Sequence, residues 1–427
     1  MFTFMGAKQG FCDGVSRRNF LKIGAFGAGL TLADMLRLQA QASNAPAQAV
    51  PSRPKSAIMI YLPGGPSHMD MYDLKPDAPT EFRGEFRPIQ TNVAGVQICE
   101  HFPLQARMWD KFACIRSIVA VDEHSDSNVM TGKSQRENMT ANHPSFGSVV
   151  SRVRSANSNS VPAFVSLRGM SRGTEPGFLG ISHRPFSPQG PGVENLRPLN
   201  TVNNDRMSDR RSMLEGFDGV RREVDANAAG LDTFAARAFD MISSGGVRNA
   251  LDLSREQQAS RARYQGVEQF LTARRLVEAG VGCVTLSIGG WDTHGQNFQS
   301  LRRQLPQVDK GLSLLIQDLH DRGMQNDVVT VMWGEFGRTP RVNMNAGRDH
   351  WSPVMSALVA GGGLRMGQAI GSSTARGERP QDSRYTVPQV LSTLYRAMGI
   401  DPSQTFLNGA GRPISIVDDR TPVRELV

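Results

Sequence analysis

Five short apolar stretches, rich in β-branched residues, stand out along the chain at 56–62, 111–119, 281–288, 327–333 and 355–360. Each is nearly continuous in its hydrophobicity instead of alternating, the pattern of strands buried on both faces of a parallel sheet. Glycine-rich polar loops adjoin them, such as Pro63-Gly-Gly-Pro and Gly361-Gly-Gly363. On either side of the run at 281–288 the period changes to that of an amphipathic helix. Tyr264, Val267, Phe270, Leu271, Leu276 and Val277 share one face of a helix predicted over 254–279, and Leu301, Leu305, Val308, Leu312, Leu315 and Leu319 share one face over 298–321. Gly280 and Gly323 supply the stops. Two further helices are expected near 205–227 and 231–242, after a loop-rich insertion at about 166–204. Strands alternating with helices predict an α/β, doubly wound, mostly parallel sheet with helices on both faces.

The chemistry gathers where these runs end. The run at 281–288 opens through Gly289-Gly290 onto Asp292 and His294, two metal-ligating side chains one residue apart. Alone they are equally a capping turn, since two ligands do not make a site. The first run delivers Ser67, His68 and Asp70; the second enters a polar stretch with His124, Ser125, Asp126 and Ser127; the run at 327–333 delivers Glu335 and Arg338; Arg348, Asp349 and His350 precede the last run. Open α/β sheets place ligands outside the carboxyl ends of their strands. Convergence of Asp292, His294, Glu335, Asp349 and His350 at one such edge predicts a divalent metal site, with zinc first and calcium or manganese as alternatives.

Composition narrows this picture. In 427 residues, 39% hydrophobic and 21% charged content fit a folded globular protein. After residue 50 no run has the roughly 18 apolar residues that a membrane span requires. Setting aside the first 42 residues, which carry five basic and two acidic groups, lowers the formal charge from +8 to +5. The remaining basic residues are interspersed with acids and form no stripe for nucleic acid. The four cysteines show no CxxC spacing, and the three that remain without Cys12 of the first 42 residues allow one bridge at most. Ser16-Arg-Arg-Asn-Phe-Leu-Lys22, followed by a short Gly/Ala-rich apolar region and Ala40-Gln-Ala42, reads as a twin-arginine signal peptide over 1–42. The reading implies the twin-arginine export machinery as a partner, a periplasmic or extracellular location, a linker at 43–55 and a single domain over 56–427.

The motifs Gly64-Gly-Pro-Ser-His-Met-Asp70, Gly290-Trp-Asp-Thr-His294, Gly334-Glu-Phe-Gly-Arg-Thr-Pro340 and Gly347-Arg-Asp-His-Trp351 resemble those of the bacterial family called domain of unknown function 1501. That family is similar in layout to the alkaline phosphatase and sulfatase superfamily, so the resemblance implies an alkaline phosphatase-like fold. It also implies a first metal held by Asp292, His294 and His350, and cleavage of phosphate or sulfate esters. The pattern departs at the second metal, where Gly64-Gly65 replaces an Asp and Phe336 follows Glu335 in place of His. It departs again at the nucleophile, where Asp122 stands in the expected position, and Cys-x-Pro-Ser-Arg is absent.

Two functions follow. One is an exported metal-dependent hydrolase of an anionic small molecule or glycan ester. In it Glu335 serves as second ligand or base, His124, Asp126, Ser127, His68 and Asp70 supply the nucleophile or remaining ligands, and Arg338 and Arg348 neutralise the substrate. The other is a non-catalytic envelope or glycan-binding protein with a degenerate metal site.

Overall fold

The computed structural model describes residues 55–154, 161–167, 175–188 and 245–427. The expected signal peptide, the two helices near 205–227 and 231–242, and most of the 166–204 insertion lie outside the described residues.

Each apolar run forms a strand of one eight-stranded sheet. In chain order these are β1 (Ser56–Tyr61), β2 (Phe112–Val119), β3 (Phe164–Ser166), β4 (Cys283–Ser287), β5 (Val328–Trp333), β6 (Met355–Gly361), β7 (Gln368–Ile370) and β8 (Tyr385–Thr386). The spatial order is β7-β2-β6-β5-β1-β4-β3, and β8 also pairs with β2. Central β1 is parallel to β4, with Tyr61 opposite Ser287, and to β5, with Tyr61 opposite Trp333. The three strands therefore end level with one another.

The expected mostly parallel sheet is observed, with one strand reversed. β6 runs antiparallel to both β5 and β2. The reversal has a consequence for the chemistry. The loop before β6 reaches the edge where β1, β2, β4 and β5 end, whereas a parallel β6 would have put it at the other edge.

The absence of alternation in the runs has its expected cause. Ile58, Ile60 and Leu62 enter one apolar core, while Ala57, Met59 and Tyr61 enter the other. The second face is covered by α1 (Phe146–Arg154), whose Val149 and Val150 are buried there. On the first face lie α2 (Glu268–Glu278) and α3 (Asn297–Asp321), and α4 (Val387–Ala397) packs on the second. The helix expected over 254–279 is broken into a 3-10 turn (Leu253–Arg255), a short helix (Gln258–Arg263) and α2. Gly266, at φ 85°, interrupts the right-handed path. The break turns Tyr264 inward, where its hydroxyl donates to Asp318 of α3 at 3.0 Å. Cys99, Cys114 and Cys283 are free and buried. Among the described residues no helix is long and apolar enough to cross a membrane.

Helices α2 and α3 approach closely at Gly311, where a Cβ would stand 2.3 Å from the buried Phe270 ring. Gly311→Ala gains about 1 kcal/mol of helix propensity, but overpacking a core costs about 1–3 kcal/mol. The variant is expected to unfold at lower urea concentration than wild type; a higher midpoint would show that the ring yields freely.

Candidate metal centre

Four connections at the C-terminal edge of the sheet, the last of them joining β5 to β6, build the site. A two-residue antiparallel ribbon, Gly337–Arg338 with His350–Trp351, sets Arg338 directly opposite His350. Arg338 is fully buried. Its Nε donates to the Gly65 carbonyl at 2.9 Å, its Nη1 to the Arg348 carbonyl at 3.0 Å, and its Nη2 to the Gly64 carbonyl and to Asp292 Oδ1, the latter at 2.6 Å. Gly64, at φ 103°, is required here, because a Cβ would lie 2.4 Å from the Asp292 amide nitrogen. The guanidinium thus fixes the Asp292 carboxylate against the end of β1.

The other side of Asp292 faces imidazoles. His350 Nε2 lies 3.0 Å and His294 Nε2 3.1 Å from Asp292 Oδ1, and the two Nε2 atoms are 3.1 Å apart. Atoms of His124, Asp292 and His350 also fall within 4.8 Å of one another, with His124 Nε2 3.7 Å from Asp292 Oδ2. Each outer imidazole is backed by a carboxylate. His294 Nδ1 meets Asp349 Oδ1 at 2.6 Å, and His124 Nδ1 meets Glu335 Oε1 at 2.8 Å. Because a carboxylate only accepts, these contacts assign the proton of the neutral rings to Nδ1 and leave lone pairs on Nε2. His294 Nε2 therefore presents a lone pair to an anionic oxygen at contact distance. Two acceptors facing each other repel unless a metal ion or a ring proton lies between them.

The spacing fits such an ion. Tetrahedral zinc with bonds of about 2.0–2.1 Å needs neighbouring ligand atoms roughly 3.3–3.4 Å apart. The triangle of Asp292 Oδ1, His294 Nε2 and His350 Nε2, with sides of 3.0–3.1 Å, requires only a few tenths of an ångström of expansion. The side chains of Asp292, His294 and His124 are about half exposed (47%, 47% and 49%), which leaves an open face for a water or substrate.

Electrostatics agree with permanent charge on the carboxylates. Burial alone would raise the Asp292 pKa, but the hydrogen bonds from Arg338 and His350 outweigh it and hold the group well below its ordinary value. The hydrogen bond from His294 lowers Asp349, with a further bond from Asn343. Beneath the site, burial first, then the Glu335 and Asp126 carboxylates, push the Tyr61 phenol well above its ordinary value.

Several expected residues occupy different roles. Asp349 stands behind His294 as its orienting partner and is not aimed at Asp292. Glu335 is 1% exposed; its Oε1 takes the Gly64 N–H at 2.9 Å as well as His124. It braces His124, which leaves no open path for it as a general base. Ser127, one of the residues expected to supply nucleophile or ligand, opens the short helix Ser127–Thr131, and its buried hydroxyl donates to the Lys133 carbonyl beyond that helix at 3.1 Å. A hydroxyl so engaged is closed to substrate. Arg338 and Arg348 do not reach for a substrate either. Arg348 grips Asp70 through two bonds of 2.8 and 2.9 Å and donates to the carbonyls of Phe82, Thr339 and Pro340. That pairing also removes Asp70 from the candidate ligands. Asn343, whose Nδ2 donates to the His294 carbonyl at 2.9 Å, carried no sequence signal beyond its turn-forming neighbours. Phe336, where a ligand was expected by resemblance, lies with its ring 4.4 Å from that of His350.

The chain belongs to the family described as "Protein of unknown function (DUF1501)". The family model matches residues 54–427. No curated protein matches. Among solved structures the chain is similar to PsFucS1 sulfatase from Pseudoalteromonas sp. (10% identity, 86% of this chain and 70% of that one, TM-score 0.37). It is also similar to a protein in the alkaline phosphatase superfamily from Vibrio parahaemolyticus (8% identity, 82% and 67%, TM-score 0.37). A third is the lipoteichoic acid synthase LtaP from Listeria monocytogenes (10% identity, 88% and 76%, TM-score 0.34). Likenesses of this size carry no argument about activity, which rests on the side chains of this DUF1501 member.

Asp349 yields a test by acid unfolding of the metal-free protein. Its folded pKa is depressed, so its contribution is complete above the unfolded value of about 3.9 and is lost as pH falls through the lower folded value. Urea midpoints across this acid range are expected to fall less steeply for Asp349→Asn than for wild type. Superimposable profiles would show that the His294 pairing adds nothing to folding.

Proposed function

We propose that this protein is an exported, metal-dependent hydrolase of anionic esters, phosphate or sulfate, on a small molecule or glycan. The observation that carries the reading is the close triangle of Asp292 Oδ1, His294 Nε2 and His350 Nε2, with sides of 3.0–3.1 Å. The donor set, two imidazoles and one carboxylate with a third imidazole alongside, fits zinc better than calcium, which takes oxygen ligands. When bound, such an ion polarises an ester oxygen and lowers the pKa of a coordinated water. The protein's own part is positional. Arg338 holds Asp292, Asp349 orients His294, and Glu335 orients His124. His124 lies at the open face, where its Nε2 is available to complete the ligand set or to take a proton from the attacking water. Ser125, Ser127 and Thr293 are all buried and hydrogen-bonded within the protein, which favours direct attack by water over a covalent serine intermediate. The paired arginines of Ser16-Arg-Arg-Asn-Phe-Leu-Lys22 support export by the twin-arginine route.

One observation favours a binding protein instead. Both buried arginines beside the site are committed to protein acceptors, so neither is free to hold the substrate's anionic group.

The experiment collects the exported fraction from a host with an intact twin-arginine system and assays phosphomonoesters, phosphodiesters and sulfate esters with zinc, manganese or calcium restored. The proposed enzyme is recovered there and turns over at least one ester class. Chelation and His350→Ala abolish that turnover. Glu335→Gln weakens the metal about 10–100-fold, the usual cost of losing an orienting partner. Exported protein that binds metal but cleaves none of these esters would establish the binding protein, and retention in the cytoplasm would refute export.

A further inference from the structure

Two residues that lack glycine's freedom take left-handed backbone beside the metal centre, Gln296 at φ 51° and Ala346 at φ 52°. Their segments are joined by two backbone bonds of 2.9 Å, from the Gln296 N–H to the Asn345 carbonyl and from the Asn297 N–H to the Ala346 carbonyl. Such conformations persist only where the surroundings over-determine them. One of these residues follows His294 by two positions, and the other precedes Asp349 by three.

Asn343 supplies the remaining bonds. Its N–H donates to the Gly347 carbonyl at 2.8 Å, and its carbonyl accepts from the Ala346 N–H at 3.1 Å. In the side chain, Oδ1 accepts from the Asn345 and Gly347 amides at 3.0 and 2.9 Å. Only an oxygen can accept there, so the amide has one orientation and Nδ2 points the other way. Nδ2 donates to the His294 carbonyl at 2.9 Å and reaches both Asp349 carboxylate oxygens at 3.4 Å. Gly347 closes the same contact, because a Cβ there would stand 2.0 Å from the His294 carbonyl oxygen. The two ends of one amide thus do different work. Oδ1 shapes the loop, which any turn-forming asparagine does. Nδ2 holds the main chain of one imidazole ligand and the carboxylate that orients its ring at 2.6 Å.

We propose that Asn343 is a positioning residue of the metal centre. Through Nδ2 it locks the His294 main chain and the half-exposed Asp349 carboxylate into one frame, which keeps His294 Nε2 directed at Asp292. It does so without touching the ion. The assignment rests on the metal-site reading given above.

Two variants separate the two ends of the amide. Asn343→Asp keeps an acceptor for the loop and replaces the donor with an oxygen. Asn343→Ser keeps a weaker turn acceptor, is too short to reach His294 and adds no charge. Zinc affinity is measured by competition with a chelator, and hydrogen exchange of the Asn345 and Gly347 amides reports the loop. Both variants are expected to bind zinc about tenfold more weakly, the lower end of the usual cost of losing an outer-shell partner. In Asn343→Asp the two amides stay as protected as in wild type, and metal-free crystals show Asp349 released from His294 Nδ1. Wild-type affinity in either variant would overturn the proposal, as would a loss that accompanies lost amide protection in both. If the wild-type protein takes up no zinc, the metal reading fails, and the metal-free crystals decide alone. Release of Asp349 in both variants then supports the positioning role, and an unchanged His294–Asp349 contact in either overturns it.

Discussion

Everything around the site depends on one buried cation meeting one half-exposed anion. Arg338, fully enclosed, shares its guanidinium among carbonyls at the end of β1 and before β6, and it ends on Asp292 after β4. Three segments distant in sequence, at 64–65, 292 and 338–348, are thereby held to one point. The cost of dehydrating that guanidinium is large unless its donors are satisfied, and the three carbonyls and one carboxylate do so. The carboxylate in turn keeps its charge, and its outward face remains for the imidazoles. A neutral residue at either position would release the loops that carry His294 and His350.

A second buried pair works one layer deeper. Asp70 and Arg348 are both shielded from solvent and joined through two hydrogen bonds, so the turn after β1 is tied to the segment carrying Asp349 and His350. Breaking such a pair on one side leaves an uncompensated buried charge, at about 3–5 kcal/mol. The rigidity is placed under the ligands instead of in them. Asp292, His294 and His124 keep open faces, while what holds them is closed. This division suits a site whose atoms must stay ready for an ion and yet admit a substrate.

The fold was legible because burial on both faces leaves a direct mark. Runs such as 327–333 have no polar face to alternate with, and helices such as 298–321 have one apolar face at a fixed period. What the runs could not reveal was direction: nothing in Met355–Ala360 distinguishes an antiparallel strand from a parallel one, since both of its faces are equally apolar. At the site, Asp292, His294 and His350 were legible as donors at strand ends. Their supporting roles were not, because an Asp that orients a histidine and an Asp that binds metal are the same letter. Asp349, Glu335, Arg338 and Ser127 took other parts for that reason, each decided by distances across loops remote in sequence. His124 gained a partner, Glu335, from 211 positions away.

The central claim is that Asp292, His294 and His350 are arranged around a cation. Zinc-edge anomalous diffraction and X-ray absorption on the zinc-loaded protein measure this directly. One zinc is predicted at about 2.0–2.2 Å from His294 Nε2, His350 Nε2 and an Asp292 oxygen, with Asp349 and Glu335 outside the bonding shell. Zinc bound elsewhere, or none bound at saturation while the triangle persists, would contradict it.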